Sequence, residues 1–344
     1  MVQSKRPIIL KTTKRVIRRV CKPSKYENKK HCPYIHQTRK QFKLISPLDK
    51  IDPNDLWIII PYFNPIGFQS MVDKCNITLQ HLRKSGVQHI VFVRVNYPST
   101  NDIHKSSSMD SKLDLNYPQI HAYHLDSNDI MFYKENLINI GFDMIPFNAK
   151  YILWMDCDVL FMKPSWIQMI GTYLNQYNII QPFETVRFLC QGQTRANGKF
   201  YRESRSMMKQ FITRGTFKYC PGFVWGANAE WLRNNKFRLN DSHIVGGGDS
   251  FNRDKLFPHT KKFSIGYAPL QISTLFHGNL KQRKYGSRYD ILKRGNYNPQ
   301  TDLCYDPKTN LLTWSTFARQ TKSNMIREIK DYFIGRNDDD KINN

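Results

Sequence analysis

Two aspartates flank a cysteine at Asp156-Cys157-Asp158, directly after the apolar run Tyr151-Ile152-Leu153-Trp154-Met155. Acids that follow a buried run are costly unless something offsets their charge. At the carboxyl end of a parallel strand they would face the crevice in which open α/β sheets take ligands. Strand alternation would turn both side chains the same way. Two converging carboxylates make a hard, oxygen-rich site for Mn²⁺ or Mg²⁺. Such an ion keeps open positions for phosphate oxygens and can neutralise a departing nucleoside diphosphate. The plainer alternative for a bare Asp-x-Asp is a solvated strand end or a helix N-cap.

Other residues could complete that chemistry. His277 follows an apolar run, and a neutral imidazole is a good Mn²⁺ ligand; the alternative is a satisfied surface histidine. Gly278 beside it leaves room for backbone or phosphate. Lys281, Arg283, Lys284 and Arg288 crowd the next loop, and the guanidinium fork suits a diphosphate; the alternative is a solvated basic loop. Asp249 follows Gly246-Gly247-Gly248. A flexible backbone there would bring its carboxylate to a substrate, as a general base in an inverting displacement or as a sugar-hydroxyl ligand in a retaining one. It could equally cap a helix over Ser250–Leu256. Trp225 beside Gly226 offers an aromatic face to a sugar ring or a core tryptophan. Tyr62 and Phe63 would border a nucleotide base or pack inside. Asn64 can bond a base edge, and Arg94 ends a strand near the crevice.

The elements that must hold these residues are legible from patterning. Leu56-Trp57-Ile58-Ile59-Ile60 is a continuous apolar run stopped by Pro61, the signature of a strand buried on both faces. A helix is expected from about Phe68 to Lys84, ended by Gly86, and a second strand over His89–Val95. Further expectations are a short strand at 120–125, a helix over 133–142, the strand 151–155, a helix over 166–174 and a strand over 178–183. Residues 96–118 and 190–216 read as polar loops, candidates for lids. Tyr267 to Phe276 reads as one late strand leading into His277. A last helix is expected at 324–333, with a frayed tail from Asn337. Strands alternating with helices imply an α/β fold: a Rossmann-like, mostly parallel central sheet with helices on both faces.

These segments, in this order, resemble the GT-A glycosyltransferases, whose DxD signature Asp156-Cys157-Asp158 matches. Lys134-Glu-Asn-Leu-Ile-Asn-Ile-Gly-Phe142 is similar to the helix before the DxD strand in the β-1,4-galactosyltransferase family. Pro61-Tyr62-Phe63-Asn64 resembles that family's donor-base loop. Trp225-Gly226 and Gly246-Gly247-Gly248-Asp249 resemble its acceptor segment, and His277 stands in the place of a third metal ligand. A closer resemblance is to uncharacterised GT-A-like proteins of phages and large DNA viruses. They share His277-Gly278…Arg283-Lys284-Tyr285-Gly286-Ser287-Arg288 and Pro299-Gln300-Thr301-Asp302-Leu303. The similarity covers roughly residues 55–315. It implies a UDP-sugar donor, Mn²⁺ or Mg²⁺ on Asp156, Asp158 and His277, and inversion with Asp249 as base. It also implies donor contacts from Pro61, Tyr62, Asn64, Arg94, Asn139, Asp156, Lys281, Arg283 and Arg288, and acceptor contacts from Trp225 and Gly248. The acceptor would be a glycan, protein or lipid. One acid, Asp249, stands where the galactosyltransferases have consecutive acids, so the sugar and the linkage stay open.

The bulk composition is compatible with this. The 344 residues, 40% of them hydrophobic, suffice for one large α/β domain. The organisation reads as a basic arm over 1–50, a GT-A domain over 51–320, and a C-terminal helix with a disordered tail over 321–344. Net charge is +24, which first suggests nucleic acid. Residues 1–47, however, hold 14 of the 52 Lys and Arg and a single acid, Glu27, while the rest is mixed. The charge therefore reads as an arm for an anionic surface, with nucleic acid unlikely as main partner. A nucleic-acid-binding or packaging protein is one competing class. A nucleotidyltransferase is another, though no Gly-x-x-x-x-Gly-Lys loop is present. Seven cysteines without CxxC spacing favour free thiols. With no apolar run near the ~18 residues of a spanning helix, and no export signal, the chain reads as cytoplasmic, or as resident in a host cytoplasm or virion if viral.

Overall fold

A computed structural model describes residues 51–98, 109–216, 220–256, 263–278 and 284–339. The basic arm, part of the expected 96–118 loop, and Lys281 and Arg283 lie outside the described residues. In chain order the elements are β1 (Leu56–Phe63), α1 (Gln69–Lys84), β2 (His89–Asn96), β3 (Ile120–Asp126), α2 (Lys134–Met144), β4 (Tyr151–Met155), β5 (Val159–Phe161) and α3 (Trp166–Leu174). There follow β6 (Ile179–Gln181), β7 (Thr185–Leu189), β8 (Phe200–Arg205), α4 (Met207–Arg214), β9 (Val224–Asn228), α5 (Ala229–Asn234) and α6 (Gly248–Leu256). The chain then forms β10 (Ile265–Tyr267), β11 (Gln271–Thr274), α7 (Arg288–Arg294), β12 (Leu303–Tyr305), β13 (Leu312–Trp314), α8 (Thr316–Thr321) and α9 (Ser323–Ile334).

The central sheet has the order β10-β6-β9-β4-β1-β2-β3. β4, β1, β2 and β3 are parallel neighbours, as are β10 and β6, while β9 runs antiparallel between β4 and β6. A second sheet has the order β5-β11-β7-β8. The unbroken apolar runs are explained by burial on both faces. Leu56, Ile58, Ile60 and Tyr62 pack with Leu79 and Leu82 of α1 and Trp166 and Ile170 of α3. Ile59 turns to the opposite core with Leu137 and Ile138 of α2 and, further out, Met325, Ile329 and Phe333 of α9. A Cβ on Gly141 would stand 2.5 Å from Ile59 Cγ2, so α2 rides directly on β1. Among the described residues no helix is long and apolar enough to cross a membrane.

Several expectations need correction. Residues 190–216 are not simply a loop: β8 and α4 occupy 200–214. β8 sits at a sheet edge with all but Ser204 exposed, which is why its composition reads as loop. α4 buries Met207, Met208 and Phe211, starts on a Ser206 cap and ends at Gly215 with φ 70°. The single late strand expected at 267–276 is two, β10 in the central sheet and β11 in the second, joined through buried Ala268 and Leu270. Asp156 and Asp158 do not alternate on a strand, because β4 stops at Met155 and both sit in the turn before β5. Asp249 lies in the first turn of α6, one residue inside its start. The tail does not fray at Asn337. Asp339 Oδ1 and Oδ2 accept from the backbone N–H of Ser70 and Gln69, at 2.8 and 3.3 Å, and the Asp338 carbonyl accepts from Ser70 Oγ at 2.9 Å. Phe68 gives α1 no side-chain cap, so the orphan donors of its first turn are satisfied from the far end of the chain.

Candidate active site

The carboxyl ends of β1 and β4 open onto a cavity of about 460 Å³. Pro61, Tyr62 and Phe63 supply one wall, Asp156, Cys157 and Asp158 the floor, and Asp249, His277 and Arg288 line it from later segments. β11 pairs antiparallel with β5, Thr274 opposite Val159, and this pairing carries His277 to the Asp turn. His277 Nε2 lies 2.9 Å from Asp158 Oδ2. Thr274 Oγ1 bridges them, 2.7 Å from His277 Nε2 and 3.5 Å from Asp158 Oδ1.

Asp156 faces elsewhere. Its Oδ1 is 2.6 Å from Lys134 Nζ, and the same ammonium reaches both Asp249 oxygens, at 3.0 and 3.1 Å. Lys134 opens α2, buried, and ties the β4 turn to the start of α6. Burial alone would pull its pKa down, but Asp156 and Asp249 push it well above the ordinary lysine value. Burial raises the Asp156 carboxyl to about 7, Lys134 opposes, and Asp249 and Asp158 add to the rise. Glu135, buried behind the site, is raised to about 8, by burial first and by Asp249 next. Gly222 makes room for Asp249: a Cβ there would stand 2.5 Å from Asp249 Oδ2. Phe223, in the cavity wall, has φ 75° and accepts from the Asp156 N–H at 2.8 Å. A bulky residue at positive φ is strained, and here it fixes where the Asp turn begins.

Among the described residues no group of three or more His, Cys, Asp and Glu side chains is drawn close enough to hold a metal ion. Asp158 and His277 meet, whereas Asp156 is engaged by Lys134. The donor set still suits a hard divalent ion: two carboxylates and an imidazole border one cavity. The Asp156 carboxyl is raised by burial first and by Asp249 and Asp158 after it, and a cation would offset both the burial and the crowded negative charge.

No family model matches the chain, and no curated protein does. Among solved structures it is similar to a mannosyltransferase from Pyrobaculum calidifontis in complex with GDP-Man and Mn²⁺, at 12% identity over 87% of this chain and 76% of that one, with a TM-score of 0.43. The catalytic domain of Drosophila β1,4-galactosyltransferase 7, in complex with xylobiose, is 12% identical over 78% of this chain and 97% of that one, with a TM-score of 0.36. A 4-diphosphocytidyl-2C-methyl-D-erythritol synthase from Anaerococcus prevotii is 9% identical over 62% of this chain and 86% of that one, with a TM-score of 0.37.

Several expected site residues do other work. The Asn139 amide exchanges two hydrogen bonds with the backbone of Leu239, at 2.8 and 2.9 Å, and does not line the cavity. Asn64 is fully buried; its Oδ1 accepts from Phe68 N at 2.9 Å and its Nδ2 donates to Phe68 O at 3.1 Å, which closes the turn after β1. Arg94 is outside the cavity, beside Asp110. Trp225 is a core residue whose Nε1 donates to the Pro221 carbonyl at 2.7 Å. Gly248 packs against the Glu135 carboxylate, and Gly247 lines the cavity instead. Tyr62 does border the cavity, with its hydroxyl donated to Asp110 Oδ1 at 3.0 Å. Arg288 lies over the rings of Tyr285 and Tyr289, each 4.8 Å from its guanidinium carbon. Sequence reasoning gave no role to Lys134, although it opens the helix segment that resembles that of the galactosyltransferases, nor to Gly222, Phe223, Thr274 and the tail pair Arg336 and Asp338; of these Lys134, Phe223, Arg336 and Asp338 line the cavity. A lysine opening the helix ahead of an Asp-x-Asp strand was the one available signal.

Proposed function

We propose that the chain is a metal-dependent GT-A glycosyltransferase that moves a sugar, with inversion, from a nucleotide-sugar to a hydroxyl of a glycan, protein or lipid. The UDP-sugar is preferred as donor on the motif resemblance. One observation carries the reading: Asp156, Asp158, Asp249, His277 and Arg288, remote in sequence, border one cavity at the carboxyl ends of parallel strands.

Asp249 accepts the proton of the acceptor hydroxyl. The acceptor oxygen forms its bond to the anomeric carbon as the bond from that carbon to the diphosphate oxygen breaks. Lys134 orients Asp249 and Asp156, and Arg288 bonds the diphosphate. Asp158 and His277, with Asp156, would hold Mn²⁺ or Mg²⁺, whose charge would offset that of the leaving diphosphate.

The test is a panel of UDP-sugars, other nucleotide-sugars and nucleoside triphosphates, screened for thermal stabilisation with and without Mn²⁺. A donor at 100 times its Kd contributes about 2.7 kcal/mol, a rise on the order of 4 °C for a chain of this size. UDP-sugars are expected to give that rise only with Mn²⁺. Stabilisation by triphosphates alone would favour nucleotidyl transfer. Asp158→Asn is expected to lower transfer at least ~10²-fold with an unchanged melting temperature. Full activity of this variant, or of the wild type in strong chelator, refutes the metal role.

A further inference from the structure

Cations and acids are unevenly matched around the cavity. The Lys and Arg side chains that line it are Lys74, Lys134, Arg202, Arg288 and Arg336. Lys134 is held by Asp156 and Asp249, and Arg336 by Asp338. Arg202 is exposed and lies over the Phe188 ring, 4.9 Å from its centroid. Lys74 differs from these three. It is only 9% exposed, yet among the described residues no carboxylate, carbonyl or ring takes its ammonium. Arg288 is the nearest parallel: its Nε is buried, and no described residue accepts from it. Lys74 sits in α1 among the buried Val72, Cys75, Thr78 and Leu79. Its methylenes pack inside, and its ammonium end supplies the contact with the cavity. His81 Nε2 accepts from Phe161 N at 3.0 Å and fixes α1 against β5. Lys74 stands about two helical turns ahead of His81 on the same side of α1. Asp158 directly precedes β5, and it lines the cavity as Lys74 does. The ammonium therefore enters from the α1 side of the Asp turn. Arg288 enters from the α6 side, against Gly246 and Gly247.

We propose that Lys74 is a further donor-binding residue, whose ammonium bonds a diphosphate oxygen of the nucleotide-sugar across the cavity from Arg288. A shielded ammonium without an acceptor in the fold is costly to stability, and a compact point charge on a flexible stem suits a phosphate oxygen. Two cations that face each other across one cavity match a group with two charged centres, whereas a single carboxylate would engage one of them. Lys74 transfers no proton. It holds the charge that grows on the diphosphate as the bond to the anomeric carbon breaks. The identity of the ligand rests on the function proposed above; the anion site itself does not.

The full chain and its Lys74→Met variant are titrated by calorimetry, in Mn²⁺, with UDP, uridine and inorganic pyrophosphate. Lys74→Met is expected to weaken UDP and pyrophosphate at least ~10-fold and to leave uridine unchanged. UDP affinity equal to that of the wild type overturns the proposal. Methionine keeps the shape of the stem and removes the unpaired charge, so the urea midpoint should hold or rise. A midpoint that falls instead means that the fold itself holds the ammonium, and it overturns the proposal as well. Lys84→Met takes the same charge from the exposed end of the same helix and should leave all three affinities unchanged. An equal loss in that variant would assign the effect to the overall field of the chain and overturn the role of Lys74. So would a loss confined to an acid-bearing donor such as UDP-glucuronate, with UDP itself unaffected. Pyrophosphate bound through Lys74 by a chain that binds no nucleotide-sugar would leave the anion site standing and remove the glycosyltransferase reading alone. A UDP-sugar bound as well by Lys74→Met as by the wild type would do the reverse.

Discussion

Asp158 and Lys134 respond in opposite ways to substitution. Asp158 meets His277 at the cavity wall, and an amide there keeps the shape while removing the charge. Lys134 is the buried cation shared by Asp156 and Asp249. Lys134→Met leaves Asp156 and Asp249 without it; their side chains are 27% and 34% exposed, so water screens part of the charge and the loss is about 1–3 kcal/mol. Urea unfolding of this variant should show a loss of that order. His81 gives a pH-dependent case. Burial first, and Lys84 next, lower its pKa from 6.5 to about 4, and the N–H of Phe161 donates to the neutral ring nitrogen. The folded chain thus holds fewer protons than the unfolded one between about pH 4 and 6.5. His81 contributes its full stability above that window and loses it as pH falls through it, on the order of 3 kcal/mol at most. Unfolding midpoints at pH 7 and pH 5 should differ less in His81→Gln, whose carbonyl can still accept from Phe161. At this scale the sequence shows charge and order but not partners. Asp156, Asp158 and His277 were legible because acids and an imidazole after apolar runs mark strand ends. Asn64, Asn139 and Trp225 matched a motif and yet serve the backbone, since an amide or indole next to an orphan carbonyl or N–H is claimed by it first.

At the scale of elements, burial on both faces made the parallel strands readable. β1, β2 and β4 are near-continuous apolar runs, and α1 ends close to the expected Gly86. Elements with one wet face were harder. β8 exposes all but one side chain, so nothing in its composition separates it from a loop. The step from β10 to β11 changes sheets without an exposed residue except Pro269, so two strands read as one. The helix cap from Asp339 was invisible, because it joins chain segments that no local pattern connects. Asp339→Ala should lower stability by about 1 kcal/mol, read as a shift in the urea midpoint. Because Phe333, Arg336 and Asp338 of the same segment line the cavity, the variant should also weaken donor-dependent stabilisation.

For the whole molecule, charge and site separate. The 14 basic residues among positions 1–47 account for much of the net +24, while the cavity draws its cations from Lys74, Lys134, Arg202, Arg288 and Arg336. Deleting residues 1–47 should weaken binding to anionic vesicles and flatten its salt dependence, measured by co-sedimentation between low and high salt. Donor-dependent stabilisation should be unchanged. Undiminished vesicle binding by the truncated chain would place the anionic-surface contact elsewhere.

The antiparallel strand β9 has a bearing on biosynthesis. β1 to β4 are complete once Met155 has been made, but β6 reaches the sheet only through β9, the pairing partner of both. A nascent chain that has emerged only as far as Gly222 would display an unpaired β4 edge and a stranded β6, both open to misassembly. Emergence of Val224–Asn228 is the moment at which the two halves can fuse, while β6 keeps one open edge until β10 follows.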